Sequence, residues 1–230
     1  MKGSWKQLPL VIQIFTEDIH MQKLDFYLAD EDYVKYLREA EMQKRGFTRI
    51  PKPNSDYPVG SKLKFLCGIV FKVDNINYYV PVSSYKKPRP NNILIELSNG
   101  TVVGSLRFNY MFPIPDDKLI NRNIDSEPDK KYRSLLSQEL LFCRKNQEKI
   151  LRLARNTYNK VINNYDEILT HNSCDFKLLE QKCFEYEQQN GMSESEEIEI
   201  KNTNSSVENF QENSETKPFF EPNDSMSMDM

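Results

Sequence analysis

Glycine is scarce in this chain, 7 residues in 230. No G-x-G pair occurs, and no G-x-x-x-x-G-K-[ST]. The dinucleotide fingerprint and the P-loop are excluded, because both need backbone that can lie against phosphate. Histidine is scarcer still, with only His20 and His171. Two distant imidazoles supply neither a structural zinc set nor a two-histidine nuclease. The four cysteines, Cys67, Cys143, Cys174 and Cys183, form no C-x-x-C. They read as free thiols of a reduced compartment. No apolar run approaches the roughly 20 residues that span a bilayer, so no membrane partner is expected. Lys2 and Lys6 precede the apolar stretch Leu8–Phe15, but Gln13 interrupts it and no small-residue cleavage site follows. A signal peptide is not expected.

Apolar residues make up 38% of the chain, against a usual 45–50% or so. Part of the chain therefore has no core to fill. That part is the C-terminus: residues 191–230 hold ten acids against two lysines and no apolar period. Such a segment cannot offset its ordering entropy, and disorder is expected. Taking this tail of −8 from a chain of −3 leaves +5 on residues 1–190. Three segments follow: an N-terminal extension over 1–22, a domain over 23–190 and an acidic tail over 191–230.

What is present is positive charge in one place. Residues 43–110 carry eleven Lys and Arg against three acids. Tyr57, Tyr78, Tyr79, Tyr85 and Tyr110 are interleaved with them. Cations among aromatic rings suit a phosphate backbone and unstacked bases. The same pattern also fits a solvated face on an ordinary sheet.

The patterning predicts an α+β domain, strand-rich in the middle and helical at the flanks. A short strand is expected at Leu24–Leu28, and Asp30 should cap a helix running to about Lys44. Lys64–Val73 and Ile76–Val82 read as a hairpin turning at Asp74-Asn75. Ile93–Leu97 and Thr101–Val103 flank Ser98-Asn99-Gly100, a second hairpin. A last strand is expected at Ser105–Pro113. After Pro128 the apolar period is helical, as two helices or one long helix broken near Arg144–Glu148. A final helix is expected from Asp175 to about Gln188.

Two segments could carry chemistry. In Tyr79–Pro90 a strand leads into the hydroxyls of Ser83 and Ser84, followed by Lys86, Lys87 and Arg89. Hydroxyls and cations at a strand end can hold a phosphate. Lys62 and Lys64 open the partner strand and, by a period of 2, should share a face. Hairpin geometry should then bring Lys64 near Ser83 and Ser84.

These segments resemble the toxins of type III toxin–antitoxin systems, the ToxN/AbiQ family. The resemblance rests on five stretches in order between Leu24 and Tyr186: Phe26-Tyr27 with Asp32–Leu37; Lys64 four residues before Gly68; Pro81–Lys86; Leu106–Ile114; and Cys174–Glu180. Ser83 stands where the family commonly has Thr, and Tyr85 where it commonly has Pro. The resemblance implies a strongly curved, barrel-like antiparallel sheet with packed helices, similar to MazF and Kid. It implies a metal-independent endoribonuclease without cofactor, cutting cellular or phage RNA in the cytoplasm in abortive infection. Its partner would be a small structured antitoxin RNA, in an RNA-bridged assembly. By position, Lys64, Ser83, Ser84 and Lys86 match the family's active-site residues, and Tyr33 and Tyr57 match family tyrosines. Lys62, Lys87 and Arg89 are added here as RNA contacts. Without metal or paired histidines, scission implies attack by the RNA's own 2′-hydroxyl, leaving a 2′,3′-cyclic phosphate and a 5′-hydroxyl. As a base, Lys64 would need a pKa well below 10.4 or so, pushed down by Lys62 and Lys86. A non-catalytic RNA-binding module using the same basic face is the alternative.

Overall fold

The computed structural model describes residues 23–189. The expected N-terminal extension and acidic tail lie outside the described residues. Seven strands form one antiparallel sheet: β1 (Asp25–Ala29), β2 (Leu66–Val73), β3 (Ile76–Ser83), β4 (Asn92–Glu96), β5 (Val102–Arg107), β6 (Phe112–Pro113) and β7 (Leu119–Asn121). Helix α1 (Glu31–Arg45) follows β1, and α2 (Lys130–Lys145), α3 (Gln147–Ile162) and α4 (Glu167–His171) follow β7. A last helix, α5, covers residues 176–189.

Local chemistry explains most boundaries. The Asp30 carboxylate accepts from the Tyr33 amide at 2.8 Å and starts α1. Gly46, at φ 74°, ends it and donates its amide to Met42, as a left-handed C-cap does. Asp74 and Asn75 both take positive φ, 45° and 68°, which a two-residue hairpin needs to match strand twist. The helical stripe after Pro128 is two helices broken at Asn146.

The strand order is β4-β5-β3-β2-β1-β7, with β6 also on β3. Strand β3 changes partner halfway. Tyr78 and Tyr79 pair with β6, whereas Val82 and Ser83 pair with β5. The sheet is not closed, which corrects the barrel-like expectation: β4 and β7, at the two ends of the strand order, do not pair with each other. Helix α2 packs against both β4 and β1. The single strand expected at Ser105–Pro113 is β5 and β6, separated by a 3-10 turn at Phe108–Tyr110.

The core is aromatic. Phe26, Tyr78, Tyr79, Phe108, Phe112 and Phe176 are fully buried, each contributing about 1.5–3 kcal/mol by transfer from water. The hydroxyls of Tyr78 and Tyr158 both donate to Glu180 Oε1, at 2.9 and 2.6 Å. That shared acceptor ties β3, α3 and α5 together. Gly68 lets β2 approach β3, since a Cβ there would lie 2.2 Å from the Tyr79 ring. All four cysteines are buried, and none is in a disulfide among the described residues. Among the described residues no helix is long and apolar enough to cross a membrane.

Glu139 on α2 is buried, and that burial pushes its carboxyl from 4.5 up to about 7. The folded chain then holds a proton that the unfolded chain has released between those two pH values. Stability should therefore fall as pH rises through that window, by up to about 3 kcal/mol. Glu139→Gln should remove this slope and raise stability at pH 8, read from urea unfolding at pH 5 and pH 8. Parallel pH profiles for the two proteins would contradict it.

Candidate active site

The end of β3, the start of β2 and the loop after α1 meet around a cavity of about 270 Å³. The β2–β3 pairing sets this meeting, after a register shift between Cys67 and Phe71. Leu66 lies opposite Pro81, and the Val82 amide donates to the Phe65 carbonyl at 3.0 Å. One step further out, Lys64 faces the Ser83–Ser84 end, and all three residues line the cavity. The convergence expected from the turn position is therefore present.

Lys64 is fixed by its backbone. Its amide donates to Asn54 Oδ1 at 2.7 Å, and its carbonyl accepts from Asn54 Nδ2 at 3.1 Å. Its ammonium sits 5.1 Å from the centre of the Tyr57 ring, whose face attracts a cation. Tyr57 is half-buried and lines the cavity as well. Ser83 Oγ accepts from the Tyr85 amide at 3.2 Å, which leaves its own hydrogen free to donate. Ser84 is exposed at the cavity rim.

Five expected residues are elsewhere. Tyr33 is fully buried, and its hydroxyl donates to the Pro113 carbonyl at 2.9 Å. It is a core residue of α1 and not an RNA-facing ring. Lys62 donates to Asp129 at 3.1 Å and lies 4.2 Å from the Tyr132 ring centre. It does not share the Lys64 face, because β2 begins only at Leu66 and the period of 2 does not govern residues 62–64. Lys62 therefore does not supply the like charge expected beside Lys64. Lys86, Lys87 and Arg89 are exposed on the loop after β3 and do not line the cavity. Strand β3 ends at Ser83, and the Tyr85 amide turns back on Ser83 Oγ, so the following residues leave the cavity wall.

Three further cations line the cavity: Arg49, Lys52 and Arg107. All three belong to the basic window of the sequence, but nothing in their spacing marked them out. The Arg49 amide is held by the buried Glu41 carboxylate at 2.8 Å. Arg49 Nε is buried without a hydrogen-bond partner among the described residues. Arg107 lies between Tyr85 and Tyr110, 5.0 and 4.1 Å from their ring centres. Among the described residues no three His, Cys, Asp or Glu side chains gather as metal ligands do.

A cavity walled by four cations, two hydroxyls and tyrosines can bind a phosphodiester and stabilise charge growing on it. The chain is 28% identical over 185 residues to an endoribonuclease AbiQ of Lactococcus lactis subsp. lactis, matching 75% of this chain and 94% of the relative. It is 27% identical over 168 residues to an endoribonuclease ToxN of Pectobacterium atrosepticum, matching 69% of this chain and 91% of that one. The fold is similar to that of AbiQ, described as a lactococcal anti-phage endoribonuclease of a type III toxin–antitoxin system, with a TM-score of 0.62 at 24% identity over 73% of this chain and 99% of that one. It is also similar, with a TM-score of 0.63 at 23% identity over 72% and 99%, to a type III structure described by toxin inhibition by a non-coding RNA pseudoknot. The family model for the toxin ToxN of type III toxin–antitoxin systems matches residues 25–183, and the chain belongs to that family.

Proposed function

We propose that this chain is an endoribonuclease toxin that cuts RNA in the cavity between Lys64 and Ser83–Ser84, without metal. The observation that carries this reading is the meeting of Lys64, Ser83, Ser84 and Arg107 around one cavity, contributed by three separate segments. The RNA's 2′-oxygen attacks the adjacent phosphorus, and the bond from phosphorus to the 5′-oxygen breaks. One proton leaves the 2′-hydroxyl and one reaches the departing 5′-oxygen. A 2′,3′-cyclic phosphate and a 5′-hydroxyl result. Lys64 and the two hydroxyls stabilise the charge on the non-bridging oxygens. The tyrosines hold the chain in line for attack.

The partner that silences the toxin is a small structured antitoxin RNA that occupies the same basic face in an RNA-bridged assembly. The toxin acts in the cytoplasm on cellular or phage RNA and leads to abortive infection. The MazF/Kid-like curvature belongs to this reading, and the change of partner along β3 supports it.

Expression of the chain alone should arrest growth, and Ser84→Ala should relieve the arrest. Co-expression with the DNA directly upstream of the gene should also relieve it, through a repeat-encoded RNA. Arrest unchanged by Ser84→Ala would place the activity elsewhere. RNA affinity should fall steeply with salt, with a log–log slope of several units as several phosphates are neutralised. A flat salt profile would remove this face as the RNA site. RNA binding without cleavage under any condition would leave a non-catalytic binding module.

A further inference from the structure

The exposed loop position of Lys86 leaves the cavity without the cation expected beside Ser84. We propose that Arg107 takes that place: its guanidinium grips the non-bridging oxygens of the scissile phosphate, aimed by a clamp of Tyr85 and Tyr110. The proposal rests on the ribonuclease reading above.

Position comes first. Arg107 is the last residue of β5 and lines the cavity together with Ser83 and Ser84. Ser83 pairs with Ser105 across the β3–β5 ladder. By the alternation of a strand, Arg107 points to the same face as Ser105. Charge comes second. Arg107 is half-buried, and among the described residues no carboxylate pairs with it. A partly desolvated cation without a counter-ion is costly unless a ligand completes it. Guanidinium suits the completion, because its planar fork matches two phosphate oxygens at once.

The clamp supplies the aim. The Tyr110 hydroxyl accepts from Arg107 Nη2 at 2.9 Å, and its ring lies 4.1 Å from the guanidinium carbon. The Tyr85 ring lies 5.0 Å from the same carbon. Tyr85 is itself held at three points. Its amide donates to Ser83 Oγ at 3.2 Å, its carbonyl accepts from Ser105 Oγ at 2.7 Å, and its hydroxyl accepts from Arg89 Nε at 3.1 Å. Tyr85 thus couples the hydroxyl pair to the cation, and Arg89 becomes a positioning residue. Preorganised donors of this kind need no rearrangement as charge develops. Arg107 keeps its protons throughout, since its role is to bind the phosphate and not to transfer a proton.

The test uses the purified full chain and an RNA oligonucleotide spanning a cut mapped with the wild-type protein. The scissile phosphate is made as either phosphorothioate diastereomer. Arg107→Lys keeps the charge and loses the fork. It should lower kcat about 100-fold or more, with KM within about threefold, and one diastereomer's thio effect should shrink toward one. Tyr110→Phe keeps the ring and loses the hydroxyl contact, and should lower kcat about tenfold in the same stereochemical pattern. Arg107→Lys at the wild-type kcat would overturn the proposal and leave the ribonuclease reading standing. A lower kcat with an unchanged thio effect would show a merely structural role and would also overturn it. A wild-type protein that cuts no RNA would remove both. If Arg107→Lys unfolds, Tyr110→Phe carries the stereochemical readout.

Discussion

Glu41→Ala should cost about 3–5 kcal/mol of folding stability. Glu41 is fully buried on α1. Its Oε1 accepts from Arg45 Nη1 at 3.0 Å and from the Asp175 amide at 2.6 Å. Its Oε2 accepts from Thr48 Oγ1 and from the Arg49 amide, both at 2.8 Å. One carboxylate therefore fastens the end of α1, the loop that carries Arg49 to the cavity, and the start of α5. Arg45 also donates to the carbonyls of Ser173 and His171. Removing Glu41 takes the acceptor from a hydroxyl and two amides and the counter-ion from a guanidinium, each with its own penalty. At a urea slope of about 2 kcal/mol per molar, the midpoint should drop by about 1.5–2.5 M. A shift below about 0.5 M would show that the network is dispensable.

The second large effect falls on activity and not on stability. Ser84→Ala and Lys64→Ala should each lower kcat by about 100- to 1000-fold, the loss seen when one preorganised donor is removed from a developing anion. Both residues are exposed, so unfolding free energies should stay within about 0.5 kcal/mol of wild type. Steady-state cleavage and urea unfolding on the same preparations check the two halves separately. A variant that loses activity in proportion to stability would mean that these side chains only support the fold.

The contrast between these residues shows what the sequence could reveal. Asp74-Asn75 has one good use, a tight hairpin, and that turn brings Lys64 to the end of β3 that carries Ser83 and Ser84. A register shift between Cys67 and Phe71 then sets Leu66 opposite Pro81, where the turn's own register would put Ser83. Local signals were enough for the approach because a two-residue turn fixes antiparallel pairing beside it, here from Val73–Ile76 to Phe71–Tyr78. The bulge beyond it had no signal in the turn. The cap at Asp30, the end of α1 near Lys44 and the final helix after Asp175 were legible for the same local reason. What escaped was non-local. Tyr33 is aromatic at a family position, yet its hydroxyl meets the Pro113 carbonyl 80 residues away and takes it into the core. Lys62 looks like a neighbour of Lys64 until Asp129, 67 residues on, draws it off. Arg107 reads as one cation among eleven until β5 sets it between two tyrosines. Strand β7, three residues with an exposed Ile120, has too little pattern to show in sequence at all.

The most direct measurement of the central claim follows one phosphodiester. An RNA oligonucleotide spanning a mapped cut is incubated with the toxin in excess EDTA, beside a copy with a single 2′-deoxy sugar at the scissile position. The account predicts cutting of the RNA, with 2′,3′-cyclic phosphate and 5′-hydroxyl ends, and no cutting of the deoxy copy, which lacks the nucleophile. Cleavage abolished by EDTA, or a deoxy copy cut to a 3′-hydroxyl, would contradict it.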